Sequence, residues 1–323
     1  MNDSRSLFFV PVLDVLSVLI VLEVVIVVCS FLFTERDQDM PDIMDQSIVV
    51  FLILLIASWF NFFIRPYKND PSSPPLYGWE VGGAFLCFLG IATIVVPASL
   101  MIWVFLQKGL WTLPDFLMAD ASFQGLLNVA SILSVSIGLL LYSLGLRTEA
   151  QRAVWGNRAR GIKNVLHDFF MGASTWLICY PLVALLAQLI ARFEPSDQEQ
   201  TAVKALRMTT ETPLLFAFTA LLVVFLVPIA EEMLFRGFLQ TWLRQKLGWR
   251  YAILVTSLIF ALFHYSSAQG TANLTLLSSL FILSCFLGFL YERQGSLWAS
   301  IALHMMFNGI SVLILMESMQ GPA

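Results

Sequence analysis

Seven residues in the last third of the chain have types and spacings suited to chemistry: Glu231, Glu232 and Arg236, then Phe260 and His264, then His304 and Asn308. They fall in three separate apolar segments. A charged side chain at the centre of a bilayer costs about 2.5–3.5 kcal/mol even on lenient insertion scales, so each of these positions needs a reason. Glu232 and Arg236 are four residues apart, lie on one helical face and can neutralise each other. Glu231 points about 100° away from Glu232 and stays outside that pair. His304 and Asn308 are again four apart and present two polar heads to one point. Phe260 stands one turn before His264, placed to wall that imidazole from lipid. Two of the chain's three histidines belong to this set. Pro228 removes a backbone donor, which frees the carbonyl of Val224 and favours a kink just before the glutamates.

A carboxylate in a low-dielectric pocket suits general-base and general-acid work. A histidine beside it can orient and deprotonate a water, while a second histidine and an asparagine amide can donate hydrogen bonds to an oxyanion. That inventory describes water attack on an amide carbonyl. The chain has neither an H-E-x-x-H zinc helix nor a G-x-S-x-G nucleophile elbow. Each set alone also has a structural reading: an ion bridge near an interface, a satisfied interhelical hydrogen bond, a packing contact. Three such sets together, with one unpaired carboxylate and two imidazoles, are the make-up of a catalytic site.

In order along the chain, Glu231-Glu232-x-x-x-Arg236, Phe260-x-x-x-His264 and His304-x-x-x-Asn308 resemble the three motifs of the CPBP family of intramembrane proteases. That family includes the type II CAAX prenyl endopeptidases and the Abi-like bacteriocin-immunity proteins. The resemblance covers roughly Pro213 to Val312. It implies that Glu231 and His264 activate the hydrolytic water, that His304 and Asn308 stabilise the oxyanion, and that Glu232, held by Arg236, shapes the site together with Phe260. It implies an endopeptidase acting on membrane-associated or lipidated proteins. Two histidines and a glutamate are also a possible zinc set. Asn308, a poor zinc ligand and a good oxyanion donor, favours the version without cofactor or metal. Two rival classes remain open: a transporter that uses the buried acids and histidines to relay protons or bind an ion, and a non-enzymatic immunity or scaffold protein.

The elements that must position these residues are transmembrane helices. Of 323 residues, 58% are hydrophobic and 12% charged, far below the charge of a soluble domain. A globule of this length has no way to hide that much apolar surface from water, so lipid is its solvent. The fold class is therefore all-α, a polytopic transmembrane bundle of eight to nine spans. The apolar segments run Leu7 to Phe33, Ser47 to Ile64, Trp79 to Leu106, Phe123 to Leu146 and Val165 to Ala191, then Pro213 to Leu239, Tyr251 to Tyr265, Leu274 to Tyr291 and Leu297 to Met316. The seventh is the shortest and reads as broken, tilted or packed beneath its neighbours. Residues 1–160 are expected to form a variable N-terminal set of spans. Residues 161–323 form the protease core, with the motifs inside 213–312.

Basic residues set the orientation. Arg65, Lys68, Arg147, Arg152, Arg158, Arg160, Lys163, Arg244, Lys246, Arg250 and Arg293 all fall on one side, whereas the first loop of the other side carries Glu35, Asp37, Asp39, Asp42 and Asp45. This places the N-terminus in the cytoplasm and the C-terminus outside. A cleaved signal peptide is not expected, because the first apolar run exceeds a typical h-region. Nothing resembles a nucleic-acid-binding patch. Cys29, Cys87, Cys179 and Cys285 lie inside apolar segments and read as packing residues. Asp14 and Glu23 lie on opposite faces of the first segment, Asp14 within reach of headgroups and Glu23 with a packing role, while His167 and Asp168 sit at an interface. Counting residues inward at 1.5 Å each, Glu231, His264 and His304 share a depth only if the sixth helix runs past Gly237 or the seventh begins with a loop that dips inward. The site then opens toward the inner leaflet.

Overall fold

The computed structural model describes residues 75–108, 121–156, 161–193 and 201–320. The first two apolar segments, with Asp14, Glu23, Cys29 and the acidic loop between them, lie outside the described residues. Everything described is helix and connection, apart from one isolated antiparallel bridge between Gly156 and Ser296.

Six helices are long and apolar enough to cross a membrane: α1 (Gly78–Gln107), α2 (Phe123–Gly145), α4 (Ile162–Arg192), α6 (Pro213–Leu247), α8 (Ala272–Gln294) and α9 (Leu297–Met319). Each corresponds to an expected span. Between them lie the short α3 (Thr148–Trp155) and α5 (Thr201–Arg207), and α7 (Trp249–Phe263) is apolar but has only 15 residues. At 1.5 Å per residue α7 reaches about 22 Å, short of a hydrocarbon core of about 30 Å. The protein is an all-helical, multi-pass integral membrane protein, with six such helices among the described residues.

Two apolar clusters organise the bundle. In one, α4, α8 and α9 pack through Leu182, Leu185, Leu287, Leu290 and Leu303, with Ile253 of α7 at its edge. Gly172 lets α4 approach α9 closely, since a Cβ there would run into the carbonyl of Ala299. The other joins α1, α2 and α3 to α6 and α7 through Leu139, Val154, Leu234, Phe235, Phe238 and Phe260. The helices before residue 161 thus share a core with the motif-bearing helices. Glu80, buried at the start of α1, takes Arg147 Nε at 2.8 Å, so that the connection after α2 is pinned to α1 by a charge-assisted bond.

Helix α6 is longer than its apolar run. The sequence places its end at Leu239, yet it continues through Gln240 and Arg244 to Leu247 and stops at Gly248, whose φ of 78° suits glycine. Running past Gly237 is one of the two conditions under which the three motifs share a depth. The helix is also unevenly wound. Leu222–Leu226 and Met233–Gln240 are π-helical, on either side of an α-helical Val227–Glu232 that carries Pro228 and both glutamates. Such wide turns inside helices are frequent at functional sites.

Candidate active site

The π turn before Pro228 changes which carbonyl loses its donor. Val227 N–H bonds the carbonyl of Leu222, five residues back. In that register the missing N–H of Pro228 faces Val223, not the Val224 expected from α-helical spacing. Asn308 supplies the replacement: its Nδ2 donates to the Val223 carbonyl at 2.9 Å. One N–H of the asparagine amide is thereby committed to the backbone of α6, and the other remains for a second acceptor.

Glu232 and Arg236 pair as their spacing requires, Nη1 to Oε1 at 2.8 Å, both side chains fully buried. The same carboxylate oxygen accepts from Nδ1 of His304 at 2.8 Å. Glu232 therefore ties α6 to α9 as well as neutralising the arginine. Because an ionised carboxylate only accepts, Nδ1 of His304 carries a proton and Nε2 is aimed elsewhere. It lies 3.8 Å from Oε2 of Glu231.

His264 ends α7. Its backbone N–H bonds Ala261, three residues back, rather than Phe260, so the last turn tightens and the Phe260 carbonyl is left over. The imidazole takes up that carbonyl through Nδ1 at 2.8 Å. A carbonyl can only accept, so the proton of a neutral His264 sits on Nδ1 and the lone pair on Nε2. That lone pair faces Oε1 of Glu231 at 3.9 Å. The loop that follows is held by Asn273, whose Oδ1 accepts from Ser266 N–H and whose Nδ2 donates to the carbonyls of Ser266 and Gly270.

The three motifs thus converge on Glu231. Its side chain is 19% exposed, against 31% for His264 and 5% for His304. Oε2 is buried with no hydrogen-bond partner among the described residues. Both histidine distances exceed a direct hydrogen bond. Phe260 is not a wall toward lipid. It is itself fully buried at the centre of the cluster, its ring 4.8 Å from that of His264, 6.0 Å from that of His304, and 4.7 Å from the guanidinium of Arg236. Among the described residues no three His, Cys, Asp or Glu side chains are grouped to hold a metal ion.

The structure adds a set of residues that motif spacing missed. Glu232, Arg236, Gln240 and Arg244 follow at four-residue steps along α6, and Ser284, Gly288 and Glu292 do so along α8. Arg236 Nη2 donates to Ser284 Oγ at 2.7 Å and to its carbonyl at 3.2 Å. Gln240 Nε2 donates to the Gly288 carbonyl at 3.0 Å and to Glu292 at 3.2 Å, and Arg244 reaches Glu292 at 3.4 Å. A Cβ at Gly288 would meet Gln240 Oε1 at 2.7 Å, so glycine is what lets this rung close. The signal was the polar four-residue period continuing past Arg236.

A polytopic helical bundle with a buried glutamate–histidine cluster is the class that fold and site define. Within it, residues 213–310 match the family model of the Type II CAAX prenyl endopeptidase Rce1-like family. The match covers 98 of the chain's 323 residues, and all seven motif residues fall inside it. No curated protein and no solved structure matches the chain.

Proposed function

We propose that this protein is an intramembrane endopeptidase that hydrolyses peptide bonds of membrane-associated or lipidated proteins, with Glu231 as general base. The observation that carries this reading is the position of the Glu231 carboxylate, its Oε2 without a hydrogen bond among the described residues and its two oxygens facing the Nε2 atoms of two histidines at 3.9 and 3.8 Å. A water held between Oε1 and the Nε2 lone pair of His264 has an acceptor for each of its protons. Its oxygen attacks the carbonyl carbon while Glu231 takes one proton. The oxyanion that forms accepts from Nε2–H of His304 and from the second N–H of Asn308. In that role His304 carries a proton on each nitrogen, with Nδ1–H on Glu232. The tetrahedral intermediate collapses, the C–N bond breaks and the proton on Glu231 passes to the leaving amine. Glu231 is then a carboxylate again, and water has been divided between the two products.

In this reading residues 161–323 are the protease core, and the helices before residue 161 control access to it. The basic residues Arg147, Arg152, Lys163, Arg244, Lys246, Arg250 and Arg293 support a cytoplasmic position for the turn at Gly248 and an opening toward the inner leaflet. Comparing the membrane peptides of cells making the wild-type chain with those making Glu231→Gln tests activity and substrate together. Cleavage products present only with the wild type support the proposal, and identical peptide sets argue against it.

A further inference from the structure

We infer that Ser284 is a positioning residue for the reaction, acting on His304 through Arg236 and Glu232; this rests on the function proposed above. Ser284 lies on α8, which carries none of the three motifs, and its side chain is fully buried. Its hydroxyl is the shortest of the contacts made by Arg236 Nη2, at 2.7 Å, with the carbonyl of the same residue at 3.2 Å. On the other side of the guanidinium, Nη1 holds Glu232 Oε1 at 2.8 Å, and that oxygen holds His304 Nδ1 at 2.8 Å. The relay therefore runs through three consecutive short hydrogen bonds, every member being buried.

The geometry leaves Arg236 few other anchors. Its Nε has no hydrogen-bond partner among the described residues, nor does Oε2 of Glu232. Phe260 covers the guanidinium face at 4.7 Å and fixes its plane without fixing its rotation within that plane. The in-plane rotation is set by Glu232 at one end and Ser284 at the other. If the Ser284 hydroxyl is removed, Nη2 keeps only the longer bond to the Ser284 carbonyl at 3.2 Å, so the guanidinium shifts toward that carbonyl and the shared oxygen moves with it. His304 then loses the acceptor that holds its Nδ1 proton, and Nε2 turns away from its place opposite Glu231. Buried polar networks of this kind orient a reacting group only while every member is satisfied. The hydroxyl touches no reacting atom, so its effect belongs on turnover rather than on substrate binding.

The test uses the full chain in detergent or nanodiscs, as wild type, Glu231→Gln, Ser284→Ala and Ser284→Cys. The chain has three histidines, so protein labelled with 15N-histidine shows three imidazole signal pairs, assigned by single His→Gln replacements. Ser284→Ala is expected to shift the His304 ring signals and leave those of His264 and His167 in place. On a peptide released by wild type but not by Glu231→Gln, it is expected to lower kcat by roughly tenfold to a hundredfold with KM unchanged. In a His304→Gln background the same substitution costs no further activity, because the two act as one unit. Ser284→Cys puts a larger, weaker acceptor in place of the hydroxyl. It gives an intermediate His304 shift and serves as the readout if the alanine variant does not fold. Unchanged His304 signals in a folded Ser284 variant overturn the inference whatever the activity. Equal activity of wild type and Glu231→Gln overturns the proposed function instead, and leaves the spectroscopic result to stand or fall on its own.

Discussion

The Nε2 atom of His264 lies 3.9 Å from Oε1 of Glu231, with the ring proton drawn to the opposite nitrogen by the carbonyl of Phe260. Two acceptors thus face each other, the arrangement on which the proposed activation of water by Glu231 rests. The arrangement depends on α7 ending where it does: had the helix continued one more residue with α-helical bonding, the Phe260 carbonyl would have been taken by the His264 backbone, and the tautomer left unfixed.

The loop after His264 is expected to depend on Asn273. Asn273→Ala removes three hydrogen bonds to the backbone of Ser266 and Gly270. Faster hydrogen exchange confined to residues 264–272, with a loss of turnover larger than any loss in thermal midpoint, is the expected outcome. Exchange unchanged in that segment would show that the loop is held by other contacts.

Asn308 and Pro228 are expected to be energetically coupled. Asn308→Leu leaves the partly buried Val223 carbonyl without that donor, a cost of about 1 kcal/mol. Pro228→Ala restores a backbone N–H facing the same carbonyl. The double variant should therefore recover much of the stability lost by Asn308→Leu while remaining inactive, since the oxyanion donor is still missing. Simple additivity of the two changes in thermal unfolding would refute the link.

Glu232 and Arg236 are expected to matter for stability as a pair. Replacing Glu232 alone by Met strands a fully buried guanidinium, at about 3–5 kcal/mol. Replacing both by Met removes the stranded charge and should return part of that stability, with no return of activity because His304 has lost its partner. Thermal midpoints of the two single variants and the double variant decide the matter.

Much of this site was legible from spacing. The pairs 232/236 and 304/308 read directly as one-face pairs, and the isolation of Glu231 followed from its angle to Glu232. What was not legible has a common cause, the departure of α6 from α-helical winding. A count of four residues back from Pro228 names Val224; only the π register makes it Val223. The same helix looks finished at Leu239 because Gln240 and Arg244 read as polar ends. In the structure these two continue the interior, bonded to Gly288 and Glu292 of α8. Ser284 was invisible for a related reason: a serine in an apolar helix is unremarkable until the arginine it holds is seen. The brevity of α7, by contrast, was plain from its length, and its early stop is what presents His264.

A metal-free reaction predicts that chelators leave the protease unaffected. Activity of the purified protein should be the same before and after prolonged treatment with a zinc chelator. Strong inhibition that is reversed by added zinc would point to the glutamate and histidines as ligands and not as an acid–base set.

The most direct measurement compares purified wild type with Glu231→Gln on a peptide substrate identified from the cellular comparison, alongside thermal unfolding of both. The substitution keeps the shape of the side chain and removes the base. The account predicts loss of turnover by at least about a hundredfold with an unchanged thermal midpoint. A Glu231→Gln protein that folds normally and still cleaves at the wild-type rate would contradict it.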